Sequence, residues 1–242
     1  MFSIPVQTAI VNSIIGNAVL AGIFFYLWRA DKRENALGYW AAAYAASACR
    51  VCFRLLGLEG HAEAIYGEAL CGTVSVVLIW MGTRVFIGRP FEAPWKVGLA
   101  AAAGMGGVAG LGAVGVIPIV IPYLIAGGVY FLAGLALLRR GREHPGVGYS
   151  IIGFLFALYG GYAIVFSHLA SSPLDPRSYI FGPIINLAMG MVLLVVTQRK
   201  QQFVSGKLSD ALLREAEGRR AAEDVGLRSE QRYRAIIDTT RS

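Results

Sequence analysis

Seven stretches of this chain are too long and too apolar to be the strands or core helices of a soluble domain. They run roughly over residues 5–28, 36–57, 62–87, 95–113, 116–138, 146–170 and 178–198. A helix needs about 20 mainly apolar residues to cross the roughly 30 Å of hydrocarbon in a bilayer, at about 1.5 Å per residue. None of the seven shows the period-2 alternation of a barrel strand. The fourth and fifth are separated only by Gly112 to Gly115, which predicts a tight helical hairpin. Composition agrees, since 56% of the 242 residues are apolar and only 15% charged, against about a quarter charged in an average soluble domain. The expected fold class is therefore an all-α membrane protein, a seven-transmembrane-helix bundle whose first partner is the lipid bilayer.

The charges give an orientation. Arg29, Lys32 and Arg33 follow the first stretch, Arg84, Arg89 and Lys96 the third, Arg139, Arg140 and Arg142 the fifth, and Arg199 and Lys200 the seventh. The alternate connections carry only Arg177. By the positive-inside rule the N-terminus is outside and the C-terminus cytoplasmic. A six-span reading, with the fourth and fifth stretches fused, breaks that alternation. The same clustering explains the formal charge of +7 without nucleic acid as a partner. The N-terminus lacks the basic region of a cleavable signal.

Three cysteines lie inside apolar stretches. Cys49 and Cys52 form a C-x-x-C, which on a helix places two small residues on one face rather than building a disulfide or zinc framework. Small-residue ladders, Ala102, Gly106 and Gly110 in the fourth stretch and Gly153, Ala157 and Gly161 in the sixth, predict close helix packing within the bundle or a dimer face. Pro118, Pro122 and Pro183 lie near outer helix ends, where kinks often line a cavity.

After residue 198 the character changes. Residues 207–234 read KLSDALLREAEGRRAAEDVGLRSEQRYR, with Val204, Leu208, Ala211 and Val225 near a 3-4 spacing and Glu215 and Gly218 interrupting the same seam. The expectation is a solvated helix continuing from the seventh span, or a weak dimeric coiled coil. Such a tail holds too little apolar surface to fold as a compact domain.

Residues Ser229 to Thr240, SEQRYRAIIDTT, resemble the opening helix of a PAS domain. Leu37-Gly38-Tyr39-Trp40-Ala41, and the run from Gly82 through Arg84, Phe86 and Gly88 to Pro90, are similar to segments of the bacterial seven-transmembrane-helix sensor modules that precede PAS, histidine-kinase or diguanylate-cyclase domains. The resemblance implies a sensor domain over 1–198, a cytoplasmic signalling helix over 199–229 and the start of a truncated PAS domain over 230–242. It further implies a homodimer in the bacterial cytoplasmic membrane, an unknown small-molecule ligand, and a downstream cytoplasmic output domain that a fragment of this length lacks.

Ionisable groups inside lipid cost about 2.5–3.5 kcal/mol for an Arg at a helix centre. The second span carries Arg50 and Arg54 on one face, and the third begins with Glu63 and Glu68. Counting about 1.5 Å per residue from the outer loop sets Arg50 level with Glu68, about 10 Å deep, and Arg54 level with Glu63. These read as two ion pairs clamping a hairpin, or as a receptor for an anionic head group in which the carboxylate is displaced. Asn12 and Asn17, Tyr123, His168 and Asn186 join them in the outer half, as interhelical hydrogen-bonding residues or as ligand contacts. His168 would titrate near neutrality. The candidate ligand-binding set is thus Arg50, Arg54, Glu63, Glu68, Asn12, Tyr123, His168 and Asn186.

No catalytic motif, cofactor site or metal-ligand spacing is found, and the seventh span has no Lys for a retinal Schiff base. Any activity would belong to the output, a PAS-linked sensor histidine kinase or a diguanylate cyclase or phosphodiesterase. The rival class is a small-solute transporter, for which internal repeats and broken helices are expected and not seen.

Overall fold

A computed structural model describes residues 6–32, 34–58, 64–113, 115, 120–169 and 178–240. Among them the only regular structure is helical: α1 (Val6–Ala30), α2 (Asn35–Leu58), α3 (Ala64–Phe86), α4 (Pro94–Ala113), α5 (Val120–Glu143), a 3₁₀ turn over Pro145–Val147, α6 (Tyr149–Leu169) and α7 (Ser178–Thr240). Each helix covers one expected stretch, with one difference. α5 continues to Glu143, so Arg139, Arg140 and Arg142 belong to its last turns rather than to a loop. α7 runs past the apolar stretch as one helix of 63 residues, the continuation expected of the tail. A loss of hydropathy marks the end of a span, and nothing after Val196 breaks a helix, since no Pro follows it.

Segments of α1, α3 and α5 (Thr8–Ala30, Tyr66–Phe86 and Ile121–Glu143) are long and apolar enough to cross a membrane, and shorter apolar helices lie in α4 and α6. The outward faces are apolar as well. Val11, Ile15 and Val19 on α1, Ile151, Phe154 and Leu158 on α6, and Ile184, Leu187, Met191 and Val195 on α7 are all exposed at helical spacing. A soluble monomer rarely exposes such continuous apolar faces; a helical membrane protein does, and this chain is one.

The chain divides into two units, Met1–Val196 and Thr197–Ser242. The first is held by an aromatic series running through four helices. The Phe24 ring stacks on Tyr44 at 5.5 Å and meets Trp40 edge-on at 5.9 Å. Trp40 meets Phe86 at 5.0 Å, and Phe86 meets Tyr149 at 5.3 Å. All but Tyr149 lie among the most deeply buried side chains. The segments around Trp40 and Phe86 are therefore one packing unit. A Cβ on Gly82 would stand 2.6 Å from the Trp40 indole nitrogen, so glycine there makes room for the ring.

The same segment ends α3. Gly88 takes φ +76°, the Arg89 amide donates to the Arg84 carbonyl and the Gly88 amide to the Val85 carbonyl. This is a Schellman cap, which needs a residue without Cβ at the left-handed position and is commonly followed by Pro, here Pro90.

These contacts fix the directions of the helices. α2 runs antiparallel to α1 and α3, because Trp40 reaches Phe24 and Phe86 while Arg54, near the far end of α2, pairs with Glu68. Phe86 on Tyr149 places the end of α3 beside the start of α6, and hence beside the end of α5. A Cβ on Gly148 would lie 3.3 Å from Val196, so α7 reaches the same end. Basic residues occupy the last turns of α1 (Arg29), α3 (Arg84) and α5 (Arg140, Arg142), where they also complement the helix dipoles.

Small residues act differently from the expected ladders. α5 and α6 are in backbone contact at Gly127 with Gly160 and at Gly134 with Gly153 and Ala157, where added Cβ atoms would fall 2.6–2.9 Å from backbone atoms of the facing helix. Gly161, Gly106 and Gly110 meet nothing within 4 Å. The close-approach glycines of α6 are thus Gly153 and Gly160, and a Cβ at Gly106 or Gly110 meets no described neighbour.

In the second unit, residues 197–240 are wholly helical. Phe203, Val204, Leu208, Leu212, Leu213 and Val225 are exposed, and Arg219 donates to Glu215 at 2.8 Å one turn away.

Candidate functional site

Polar side chains inside an apolar bundle are where chemistry is expected, and they gather in two clusters away from the basic end. The first joins three helices. The Arg54 guanidinium on α2 donates from Nη2 to Glu68 on α3 and, at 3.3 Å, to the hydroxyl of Tyr123 on α5. Both members of the ion pair are mostly buried, with 22% and 25% of their side-chain surface exposed. Desolvated charges persist in such a place only when paired and hydrogen-bonded.

The second cluster ties α1, α2 and α7. The Asn186 side-chain amide donates to Asn17 Oδ1 at 2.9 Å, and Asn17 in turn donates to the Ser13 carbonyl at 2.7 Å. The Tyr44 hydroxyl donates to the Asn186 carbonyl at 3.2 Å. Gly190, one turn on from Asn186, permits this approach: a Cβ there would meet Leu20 at 2.5 Å.

The expected pairing of Arg50 with Glu68 is corrected. Arg54 takes Glu68, and Arg50 lies instead across from Gly72, where a Cβ would be 2.9 Å from its Cδ. Trp40 with Gly82, Arg50 with Gly72 and Arg54 with Glu68 are all centred on position 61, so Arg50 faces α3 about one turn deeper than the count from the apolar runs placed it. The expected nearness of Arg54 to Glu63 lies outside the described residues. α2 continues to Leu58 and α3 begins at Ala64, which moves the centre of the hairpin along the chain, and the Trp40–Gly82 fit sets the register.

Of the remaining candidates, Asn12 lies exposed on α1, away from the buried Asn17. Glu63 and the side chain of His168, whose backbone belongs to α6, fall outside the described residues. Tyr44 and Ser13 were not singled out by sequence, because one hydroxyl within an apolar run gives no signal beyond ordinary helix composition.

Arg50 stands apart from both clusters. It is half-buried, its Nε is buried without a hydrogen-bond partner, and it forms no ion pair among the described residues. Cys49 and Cys52 beside it are exposed free thiols and Cys71 is half-buried; none offers a counter-charge of carboxylate strength. Among the described residues no group of three or more His, Cys, Asp or Glu is placed to hold a metal ion. Among the described residues, then, the first cluster is an ion pair, the second an amide network, and Arg50 a cation without a counter-charge.

No protein-family model matches the chain, and no curated protein or solved structure gives a significant match.

Proposed function

We propose that this chain is the membrane-embedded input module of a bacterial sensory protein. Seven helices cross the cytoplasmic membrane with the N-terminus outside. The bundle senses a small amphiphilic or anionic ligand, or a property of the membrane, and α7 relays its state to a cytoplasmic output domain. The observation that carries this reading is α7 itself, one helix from Ser178 to Thr240 that begins among apolar residues and ends among charged ones. A helix of that kind can pass rotation or sliding from a bundle to whatever follows it. The gathering of Arg29, Arg84, Arg140 and Arg142 at one end supports the orientation. The resemblance of residues 229–240 to a PAS opening favours a PAS-linked histidine kinase as output, with a cyclic-di-GMP enzyme second. A small-solute transporter, the rival class, has no use for a charged helix continuing from its last span.

As a homodimer, the module would pair its tails in parallel along Val204, Leu208, Ala211 and Val225. The test places single cysteines at Leu208 and Val225 and their neighbours, in a background with Cys49, Cys52 and Cys71 replaced by Ala. Crosslinking that recurs with 3-4 spacing in native membranes is expected; none at either position or its neighbours contradicts the relay. For orientation, a cysteine at the exposed Arg142 is expected to react with an impermeant reagent only in broken cells. Reaction in intact cells contradicts the topology.

A further inference from the structure

Arg50 has the features of a binding site that no other described residue completes. Its level on α2 matches Gly72 on α3, six residues into the apolar segment Tyr66–Phe86, or about 9 Å along the helix axis at 1.5 Å per residue. The one described carboxylate near it, Glu68, is already engaged by Arg54 and lies a turn towards the helix ends. Gly72 lacks a side chain, so the Arg50 stem lies against α3, which holds the planar guanidinium in place rather than leaving it to sweep. The buried Nε has no partner among the described residues and so adds a donor that a bound oxyanion could satisfy. At the same end of the α2–α3 pair, on neighbouring faces of the two helices, Leu56, Tyr66 and Leu70 are exposed and apolar.

We infer that Arg50 is the receptor for an oxyanion, a carboxylate or phosphate, carried on an acyl amphiphile that enters between α2 and α3 from the bilayer. A guanidinium fork matches the two oxygens of such a group, and desolvation strengthens the contact. Arg54 is the weaker candidate, because its Nη2 already donates to Glu68 and Tyr123 and its charge is balanced by the Glu68 carboxylate. The inference deepens the input-module reading and rests on it for the membrane crossing of α2.

The experiment uses the full chain in nanodiscs of zwitterionic lipid, with oleate as the anionic probe, oleyl alcohol as its neutral counterpart and acetate or inorganic phosphate as soluble anions. Oleate is expected to raise the melting temperature of the wild type, and oleyl alcohol is not. Losing one or more charge-assisted bonds in Arg50→Gln is expected to weaken oleate about tenfold to a hundredfold, with Arg50→Lys intermediate because it keeps the charge and loses the fork. Arg54→Gln, though less stable, is expected to keep the oleate shift. Should Arg50→Gln fail to fold, Gly72→Ala supplies the second test: it displaces the stem, keeps the guanidinium, and is expected to weaken oleate. A shift with acetate or phosphate alone supports the oxyanion site and assigns it to a soluble source. Equal oleate affinity in wild type, Arg50→Lys and Gly72→Ala, or an equal shift with oleyl alcohol, overturns the site. Oleate binding through Arg50 without any change in tail crosslinking would retain the site and count against the relay, whereas crosslinked tails with no oleate binding would do the reverse.

Discussion

The bundle contains two antiparallel helix pairs built on opposite principles. α5 and α6 meet backbone to backbone, with Gly127 against Gly160 and Gly134 against Gly153. Nothing polar is needed there, because dispersion contacts between closely spaced backbones are what association in lipid can draw on. α2 and α3 meet through large and charged side chains: Trp40 over Gly82, Arg50 over Gly72, Arg54 on Glu68. Their glycines make room for side chains, not for a facing backbone. The first pair has one tight arrangement and little reason to change. The second depends on charges, so on the proposed input-module reading it is the pair whose balance a ligand would alter.

Breaking the α2–α3 ion pair is expected to have the largest effect. Glu68→Leu leaves the Arg54 cation without its carboxylate, and about 3 kcal/mol of stability should be lost. That is the low end for a broken buried pair, because each side chain keeps about a quarter of its exposure. Denaturation in detergent measures it. Adding Arg54→Leu is expected to recover part of the loss, since no orphan charge remains.

The α5–α6 pair is broken by volume instead. Gly134→Ala puts a methyl group 2.6 Å from backbone atoms of Gly153 and Ala157 that cannot turn aside, and about 1–3 kcal/mol of overpacking follows. Gly161→Ala, one residue from the contact glycine Gly160, meets open space and is expected to be neutral or to gain up to about 1 kcal/mol from helix propensity. Comparing their melting curves separates close approach from mere small-residue content. A smaller effect is expected from Asn186→Ala, about 0.6 kcal/mol and in the range of interhelical hydrogen bonds in membranes, because it removes one amide contact with Asn17 and leaves the Tyr44 bond to the Asn186 carbonyl.

The existence of the helices was legible because lipid demands long apolar runs, and their boundaries came within a few residues. Register was not. Hydropathy locates a span but not the centre of its hairpin, and the displacement of Glu68 from Arg50 to Arg54 came from the Trp40–Gly82 fit. Which member of Gly160-Gly161 faces α5 was equally hidden, since adjacent glycines are alike in sequence and 100° apart on a helix. Asn186 was a candidate because an amide in an apolar run stands out; Tyr44 was not, because tyrosine is common in such runs. The continuation of α7 past its apolar run was legible as well, because the tail keeps helix-forming residues without Pro: apolarity reports the solvent, and a helix can outlast a change of solvent.

The α2–α3 register is what leaves Arg50 without a carboxylate among the described residues, and two double-mutant cycles test it directly. Arg54 and Glu68 are replaced singly and together, and Arg50 and Glu68 likewise, with unfolding free energies measured under one condition. The account predicts a coupling of about 1–3 kcal/mol between Arg54 and Glu68, and none between Arg50 and Glu68 beyond about 0.5 kcal/mol. Coupling found between Arg50 and Glu68 instead would place the register one turn away and contradict it.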